Sequence, residues 1–392
     1  MPDGRETPTA RLTVDLGEIG AAAWNALAGD ANPFLRHEFL RALELSGSVG
    51  GETGWLPRHL LVEDVDKTPI GAVPLYVKAH SYGEYVFDHG WAEAWERAGG
   101  QYYPKLVAAV PFTPVPGPRI LIGPADDRFA AARRQAVAET LIAAAEQLNV
   151  SSLHVNFTEP EDRAALAECG CLLRLGYQFH WENRGYRSFD DFLAALSSRK
   201  RKAIRKERRA VQESGVRVRR LTGNDLQQEH WDAFYELYVE TGSRKWGYPY
   251  LTQDFFYRLG ASMADKVMLI LADFGGRPVG GALNLIGRDT LYGRNWGGEE
   301  SIPFLHFEAC YYQAIEFAIE RGLSRVEAGA QGEHKIQRGY LPVETWSAHW
   351  IRDSGFRNAV GDFLKRETAA AKREIAALAE YGPYRQADAP DD

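Results

Sequence analysis

The sequence predicts an α/β protein built from two domains of the same kind, and three observations support this. Two stretches about 209 residues apart repeat one another, HLLVEDVDKTPIGAVPLYVKAHSYGEYVFDHGW from His59 and MLILADFGGRPVGGALNLIGRDTLYGRNWGG from Met268. Helical and strand-like patterns alternate in both halves, which is typical of a sheet flanked by helices. A length of 392 residues also suits two domains of about 100 to 200 residues each.

Each repeated stretch predicts a β-hairpin followed by a third strand. In both copies an apolar run ends in Asp, a turn with Pro and then Gly follows, and a second apolar run begins. We expect the third strand at Tyr85 and Val86 in the first copy and at Leu291 and Tyr292 in the second.

The other elements of the first half follow from periodicity and capping residues. Asn32 and Pro33 resemble a helix cap and a first helical residue. Residues 92–124 are rich in Pro, Gly and aromatic residues, and the second half has no counterpart, so we expect extended or turning chain, a lid over a groove. The predicted helices are 21–28, 33–45, 129–148 and 161–168, and the predicted strands are 153–157 and a segment from 172.

The second half shows the same alternation. A helix or helix pair runs from Phe189 to about Gly215, and a strand, VRVRRL, follows it. The predicted helices after it are 226–240, 253–263, 303–321 and 356–381, and a strand covers 325–328. The predicted domains are residues 1–185 and 186–385.

Composition excludes several classes of protein. The net charge of −7 argues against a generic polyanion binder, so any contact with nucleic acid must be local. The start lacks the features of a signal peptide and no run approaches the ~18 apolar residues of a membrane span, so we expect a soluble, cytoplasmic protein. Three cysteines without zinc-ligand spacing predict neither a metal site nor a disulfide framework.

Positive charge concentrates between Arg199 and Arg220. This segment contains eleven Lys or Arg residues and only two acidic residues, Glu207 and Glu213. In the predicted helix 197–214 the apolar residues fall on one face, so the cations fan over the other and could follow a phosphate backbone or acidic lipid head groups. A solvated helix docked on its own acidic domain is an equal alternative. The polyanion-binding candidates are Arg199, Lys200, Arg201 and Arg205.

A glycine-rich segment, GAQGEHKIQRGYLP from Gly329, directly follows a predicted strand. Glycines let a backbone approach a ligand closely, and Lys335 and Arg338 could hold a phosphate or stabilise an oxyanion next to Tyr340. A structural loop with two exposed cations is the alternative.

With SRKRKAIRKERR, TGSRKWGYPYLTQDFF and HKIQRGY in this order, the chain resembles the FemABX-like N-acyltransferases of the GNAT superfamily, and within them the predicted N-acyltransferases labelled peptidoglycan biosynthesis or recognition proteins. The resemblance extends from about Asn32 to Lys365. It implies two tandem GNAT-like, acyl-CoA N-acyltransferase-type domains with mixed central sheets flanked by helices. It also implies transfer of an acyl or aminoacyl group to an amine, with the donor site in the second domain. Lys335 and, less closely, Arg338 match the phosphate-binding end of the motif.

The donor stays open between acyl-CoA and aminoacyl-tRNA. Fem enzymes use aminoacyl-tRNA and a cell-wall peptide precursor, which the resemblance extends to this chain as possible partners. The usual GNAT pyrophosphate loop is missing from both copies, and Pro303 removes one N–H donor at the relevant helix start, so no motif supports acetyl-CoA. A CoA-dependent N-acetyltransferase of a small molecule and a nucleic-acid-binding protein with inert domains are the alternatives.

Transfer to an amine needs a base, a grip on the carbonyl oxygen and alignment of the substrates. The candidate bases are Glu327, which lies in an otherwise apolar strand, and Glu308, His306 and His334. Each has a structural alternative, a core-edge position for a histidine and an ion pair for a buried carboxylate. No Ser-His-Asp or Cys-His arrangement predicts a covalent intermediate.

Three further groups are substrate-binding candidates. The first lies at the end of a third strand, where GNAT-like sheets open to admit a donor; the second is a cationic and aromatic cluster; the third ends the repeat of the first copy and would line an acceptor pocket. They are Arg294, Asn295 and Trp296; Arg244 and Trp246; and Asp88 and His89.

Overall fold

The computed structural model describes residues 9–124, 127–245, 248–329 and 332–385. The chain forms two compact units, unit 1 with residues 1–176 and 344–372 and unit 2 with residues 177–343 and 373–392. The predicted division placed 344–372 in the second domain. These residues instead belong to unit 1, because Ala348–Ile351 pairs antiparallel with Ser152–Val155 there.

Unit 1 contains two sheets with helices around them. Its strands are β1 (Thr9–Thr13), β2 (Trp55–Pro57), β3 (His59–Glu63), β4 (Pro69–Val73), β5 (Leu75–Lys78), β6 (Lys105–Ala108) and β7 (Ser152–Val155). Its helices are α1 (Ala21–Ala28), α2 (His37–Leu45), α3 (His89–Arg97), α4 (Asp127–Gln147) and α5 (Pro160–Glu168), after which β8 (Leu172–Glu182) begins. Strands β1, β3 and β4 form one antiparallel sheet, and β2, β5, β6 and β7 lie side by side in the second.

The predicted helices of unit 1 are largely confirmed. Helix α1 has the predicted bounds. Asn32 does act as a cap, since its side-chain oxygen accepts a hydrogen bond from Phe34 N at 3.0 Å. The turn that it caps is a short 3-10 helix, Pro33–Leu35, and α2 starts only at His37.

Two predictions for unit 1 are wrong. Tyr85 and Val86 form no strand, and Tyr85 has a positive φ of 58°. The third strand is β6, which pairs antiparallel with β5 and parallel with β7. Residues 92–124 are not a lid, because they include the end of α3 and all of β6, whose residues are buried. The insertion is therefore residues 79–104, between the second and third strands. Strand β6 was not predicted, because its short apolar sequence lies among Pro, Gly and aromatic residues.

Unit 2 contains a single mixed sheet. Its helices are α6 (Phe189–Ala194), α7 (Ser198–Glu213), α8 (Gln228–Lys245), α9 (Gln253–Met263), α10 (Leu305–Phe307) and α11 (Gln313–Glu320). Its strands are β9 (Arg217–Thr222), β10 (Val267–Phe274), β11 (Arg277–Ile286), β12 (Thr290–Gly298) and β13 (Arg325–Glu327), followed along the chain by β14 (Leu341–Ile351) and α12 (Ser354–Glu380). The sheet order is β8-β13-β12-β11-β10-β9. This confirms the predicted helix pair, the three repeated strands and the bounds of α9.

The core of unit 2 lies between its sheet and the helices α6, α7 and α11. A π-helical turn, Glu308–Tyr312, joins α10 to α11, and such turns are frequent at functional sites. On the other sheet face, α8 packs directly on β12. A Cβ atom at Gly297 would lie 2.3 Å from the backbone of Leu237, so only glycine permits this approach.

Both units share one pattern of strands. In each, two antiparallel strands precede a third that pairs parallel with the strand after the next long helix: Leu106 faces Leu153 in unit 1, and Leu291 faces Val326 in unit 2. The duplication predicted from the sequence is therefore present in the structure. Among the described residues, no helix is long and apolar enough to cross a membrane.

Candidate active site in unit 2

Strands β12 and β13 separate where β13 ends, and we call this point the fork. Their last paired residues are Tyr292 and Glu327, whereas β12 continues to Gly298. A cavity of about 80 Å³, the fork cavity, lies directly beyond the last pair. Its lining residues include Gly293, Arg294, Asn295, Trp296, His306, Cys310, Tyr311 and Ala328. Arg294, Asn295 and Trp296 were predicted to lie at the end of a third strand, where the sheet opens, and all three line this cavity.

A second cavity of about 270 Å³, the outer cavity, shares Trp296 and His306 with the fork cavity. Glu299 and Glu300 lie on its wall. Phe304, also on the wall, has a φ of 65°. A bulky residue rarely adopts this left-handed conformation, and such strain concentrates at functional sites.

Glu327, the last residue of β13, is a buried carboxylate beside Arg294. Its side chain is 3% exposed, and Arg294 Nη2 lies 3.5 Å from Glu327 Oε2. Burial raises the pKa of Glu327 to about 7, which outweighs the opposite effect of the guanidinium. A carboxylate with this pKa can take up and release a proton near neutral pH. Arg294 lines the fork cavity, so Glu327 lies directly behind that wall.

Lys335 lies in a 3-10 helix, Glu333–Arg338, that leads from β13 to β14. Its Nζ donates to the carbonyl oxygens of Ala328 at 2.7 Å and Gly329 at 3.1 Å. The side chain is buried, and burial lowers the pKa of Lys335 to about 7. Lys335 thus fixes the backbone at the fork, and its contact with a phosphate stays a prediction.

Arg338 and Tyr340 are also buried rather than exposed on a loop. Arg338 Nη2 donates to both carboxylate oxygens of Glu207, at 2.9 and 3.0 Å, and the guanidinium lies 3.4 Å from the ring centroid of Phe307. Tyr340 is fully buried, and burial raises the pKa of its hydroxyl well above the ordinary value. The alternative of a loop with two exposed cations is therefore wrong, since both cations already have protein partners.

Two other candidate bases differ in their surroundings. Glu308 forms an ion pair with Arg208, whose Nη2 and Nε lie 3.0 and 3.1 Å from its oxygens. His306 lies on the wall of both cavities, with ring centroids 5.3 Å from Trp296 and 5.4 Å from Tyr311. Glu308 is thus held by a cation, whereas His306 is placed to contact a molecule in either cavity.

The chain matches the family model named FemAB-like, described as peptidoglycan biosynthesis/recognition, over residues 15–386. It belongs to the FemAB-like family. The fold is similar to the crystal structure of FemX, at 12% identity and a TM-score of 0.55, over 91% of this chain and 100% of that one. It is also similar to L-PGS from Bacillus licheniformis, at 11% identity and a TM-score of 0.51, over 88% and 98%.

These likenesses confirm the predicted fold class, two tandem GNAT-like domains with mixed sheets flanked by helices. A comparison with curated proteins found no match. At these identities the solved structures establish the fold of the FemAB-like protein, and its chemistry must be argued from its own residues.

Helix α7 of the FemAB-like protein presents cations on its exposed side, as predicted. Of the predicted candidates, Arg199 and Arg205 are exposed and Lys200 and Arg201 are partly buried. Arg205 pairs with Asp190 at 3.0 Å. The exposed cations for which the described residues show no ion pair are Arg199, Lys202, Lys206 and Arg209, which we call the basic stripe. Their spacing of three, four and three residues places them on one face of the helix.

Arg244 supports the end of β12. Its Nη2 donates to the carbonyl oxygen of Gly298 at 2.8 Å and to Thr241 Oγ1 at 3.3 Å. Thr241 also lines the outer cavity. Trp246, predicted to act with Arg244, lies outside the described residues.

Asp88 and His89 lie in unit 1, at the beginning of α3 and not at the end of a strand as predicted. Asp88 is buried, and its Oδ2 accepts hydrogen bonds from Lys105 at 2.5 Å and from Tyr102 at 2.7 Å. His89 is exposed. The two side chains have different surroundings, because Asp88 precedes the helix and His89 is its first residue. Their part in substrate binding stays a prediction.

Sequence reasoning missed the polar residues that surround Asp88. Lys78 and Lys105 each lie in a short, otherwise apolar strand. A lysine is rarely buried without a partner, so its presence in such a strand could have indicated buried polar groups nearby. His154 and His349 contact each other through Nδ1 atoms 2.7 Å apart. They are 195 positions apart in the chain, so no local pattern could reveal this contact.

Proposed function

We propose that this protein transfers an aminoacyl group from a charged tRNA to an amine in a peptidoglycan-related process, with the fork cavity as the donor site. The family and the tandem acyltransferase fold support an acyl or aminoacyl transferase. The observation on which the proposal mainly rests is the fork cavity itself, with Arg294 and His306 on its wall and Glu327 behind it.

The chemistry at the fork follows from these groups. The acceptor nitrogen attacks the ester carbonyl of the donor, a C–N bond forms, and the ester C–O bond breaks. Arg294 stabilises the negative charge that develops on the carbonyl oxygen. Glu327, whose pKa lies near neutrality, takes the proton from the attacking nitrogen through an intervening water molecule, because it lies behind the cavity wall, and returns this proton to the ribose oxygen as the C–O bond breaks.

The outer cavity favours an aminoacyl group over a CoA thioester. Glu299 and Glu300 lie on its wall, close to the start of α10. Glu299 already pairs with Arg277 at 2.5 Å, and the carboxylate of Glu300 beside it opposes a pyrophosphate more than the α-ammonium of an aminoacyl group. The basic stripe supplies the complementary surface, because four aligned cations can follow an RNA backbone.

In the described part of unit 1, the chain after β6 occupies the place where β6 and β7 end. Gly117 N donates to Phe157 O, and Leu121 pairs with Ala72. The fully buried Arg119 donates to the carbonyl oxygens of this segment, which include Val115 O. This filling supports unit 2 as the unit that takes the donor.

Transfer of a labelled amino acid tests the proposal. Wild-type protein is incubated with charged tRNA and a peptidoglycan precursor peptide that carries a free amine, and the amide product is counted. We expect product from the wild type and at least about 100-fold less from Glu327→Gln, which keeps the shape but not the base. Glu320→Gln, an exposed carboxylate paired with Arg220, is the matched control and should not change the rate.

The same assay with acyl-CoA in place of charged tRNA distinguishes the proposed function from its two alternatives. Transfer from an acyl-CoA and not from charged tRNA would replace the proposal by a CoA-dependent N-acetyltransferase. RNA binding through the basic stripe without transfer from either donor would leave a nucleic-acid-binding protein with inert domains. Either result contradicts the proposed function.

A further inference from the structure

The second sheet of unit 1 has one apolar face and one polar face, and both are buried. The apolar face, with Leu106 and Leu153, packs in a core with residues of α4. Residues of the insertion 79–104 contact the other face. The polar side chains on that face include Lys78 from β5, Lys105 from β6, His154 from β7 and His349 from β14, each at most 2% exposed.

Lys105 is the centre of a hydrogen-bond network between the sheet and the insertion. Its Nζ donates to Ser81 Oγ at 2.7 Å, Glu84 Oε2 at 2.9 Å and Asp88 Oδ2 at 2.5 Å. Three donors therefore have three acceptors, and the ammonium of Lys105 has no capacity left.

Three acceptor atoms beside this network are buried and accept no hydrogen bond from any described residue. They are Glu84 Oε1, Asp88 Oδ1 and Asn156 Oδ1. The residues that carry them are 3%, 1% and 0% exposed. Asn156 adjoins Glu84, because its Nδ2 lies 3.5 Å from Glu84 O, and Glu84 and Asp88 are neighbours because both accept from Lys105 Nζ. A buried acceptor without a donor costs about 1 to 3 kcal/mol, so three together indicate a missing donor group.

The charges of the network leave room for a cation. Burial alone would raise the pKa of Asp88, but the ammonium of Lys105 holds it well below its ordinary value. Burial raises the pKa of Glu84 to about 7 and lowers that of Lys78 to about 7. Lys78 Nζ lies 4.0 Å from Glu84 Oε1, too far for a hydrogen bond. The fixed charges are thus Lys105 and Asp88, and a cation next to Glu84 would favour its ionised form.

We propose that Glu84, Asp88 and Asn156 form a site in unit 1 that binds the primary ammonium group of a small ligand. A primary ammonium has three N–H donors, and the site has three acceptors without donors. A carboxylate or phosphate ligand does not fit, since it would add acceptors to acceptors. The identity of the ligand as the amine acceptor rests on the proposed function, whereas the binding site itself does not.

The segment 79–88 separates these atoms from solvent. It contains neither helix nor strand, and its Tyr82 and Phe87 side chains are 62% and 56% exposed. The ligand enters by a local opening of this segment in which Glu84 and Asp88 stay bound to Lys105, and the two exposed rings contact its carbon chain.

Calorimetric binding without any donor tests the site. The ligand is Nα-acetyllysine amide, and the control ligand is Nα-acetylnorleucine amide, which has a similar chain without the ammonium. We expect saturable binding of the first and none of the second. Absence of binding by the lysine compound would overturn the inference.

Two variants locate the binding. Glu84→Gln keeps an acceptor for Lys105 but replaces Oε1 by a donor, and Asn156→Leu removes the third acceptor. Each should weaken binding at least tenfold, while thermal unfolding shows that both variants fold. Unchanged affinity in either folded variant would overturn the proposed site.

A unit 2 variant separates this inference from the proposed function. Glu327→Gln should lose transfer but bind the lysine compound with unchanged affinity. Binding in unit 1 without transfer by the wild type would contradict the proposed function alone. Transfer without binding in unit 1 would contradict this inference alone.

Discussion

At the scale of single residues, the structure buries charged groups at both proposed sites, and such burial is unusual for a core. Glu327 lies beside Arg294 in unit 2, and Asp88 and Glu84 surround Lys105 in unit 1. Buried charges with shifted pKa values concentrate at functional sites, although ion pairs of purely structural importance shift pKa values too. Stability and activity measured on the same variants distinguish these two possibilities.

Glu327 should make the stability of the protein depend on pH. Burial raises its pKa from 4.5 to about 7, so its contribution is complete below pH 4.5 and is lost as pH rises through 7. Glu327→Gln should therefore be more stable than the wild type by roughly 3 kcal/mol above about pH 8, with no difference below about pH 4. Urea unfolding across this range measures it, and a difference that stays constant with pH would contradict it.

Lys105 should be the most costly single cation to remove. Lys105→Met leaves two buried carboxylates without their ammonium, which should destabilise the protein by about 3 to 5 kcal/mol in urea unfolding. The matched control is Lys206→Met on the exposed side of α7, which should change stability by less than about 0.5 kcal/mol. Similar effects of the two variants would mean that the network contributes nothing particular.

At the scale of elements, the contact between α8 and β12 determines where the fork opens. Helix α8 packs against the part of β12 that extends beyond β13 and so supports the strand where its parallel partner is missing. Arg244 and Thr241 bind the last residue of that strand through its backbone. The cavity walls therefore depend on a helix that contributes few side chains to them.

Gly297→Ala tests this packing. The added methyl group would lie 2.3 Å from the backbone of Leu237, which no side-chain rotation can relieve. We expect a loss of stability of about 1 to 3 kcal/mol and reduced transfer, because α8 or β12 must shift. The control is Ala261→Ser, at an exposed position of α9. Gly275→Ser is not a suitable control, because Gly275 has a positive φ that a serine rarely adopts. Wild-type stability of Gly297→Ala would contradict the account.

The basic stripe on α7 should bind RNA by charge. Lys202→Glu with Lys206→Glu should weaken tRNA binding at least tenfold and reduce its dependence on salt, because fewer counterions are released. Arg187→Glu with Arg217→Glu, which reverses two exposed cations of the same unit outside α7, is the control for net charge. Equal weakening by the control would show a general effect of charge and no docking surface on α7.

At the scale of the whole molecule, the duplication was predictable because both hairpins preserve the same turn chemistry. The bounds of α9 also followed from sequence, since Thr252 caps the helix by accepting a hydrogen bond from Phe255 N at 3.3 Å. The third strand of unit 1 could not be predicted in the same way. The insertion 79–104 separates it from its hairpin, and its four residues lie among Pro, Gly and aromatic residues.

The site was predictable only in part. The position of Arg294, Asn295 and Trp296 at the opening of the sheet followed from the repeat, but the burial of Lys335 and Arg338 did not. Their partners are backbone carbonyls and Glu207, 131 residues from Arg338 in sequence, and such contacts appear only in the folded chain. The assignment of 344–372 to unit 1 likewise depends on a long-range strand pair.

The central claim is that the fork in unit 2 receives the aminoacyl group. A 3′-aminoacyl adenosine with a photoreactive side chain, crosslinked to the wild-type protein and mapped by mass spectrometry, tests this directly. The account predicts labels on the cavity walls, at Trp296 or His306, that charged tRNA removes by competition and uncharged tRNA removes less well. Labels in unit 1, or labels that charged tRNA does not displace, would contradict it.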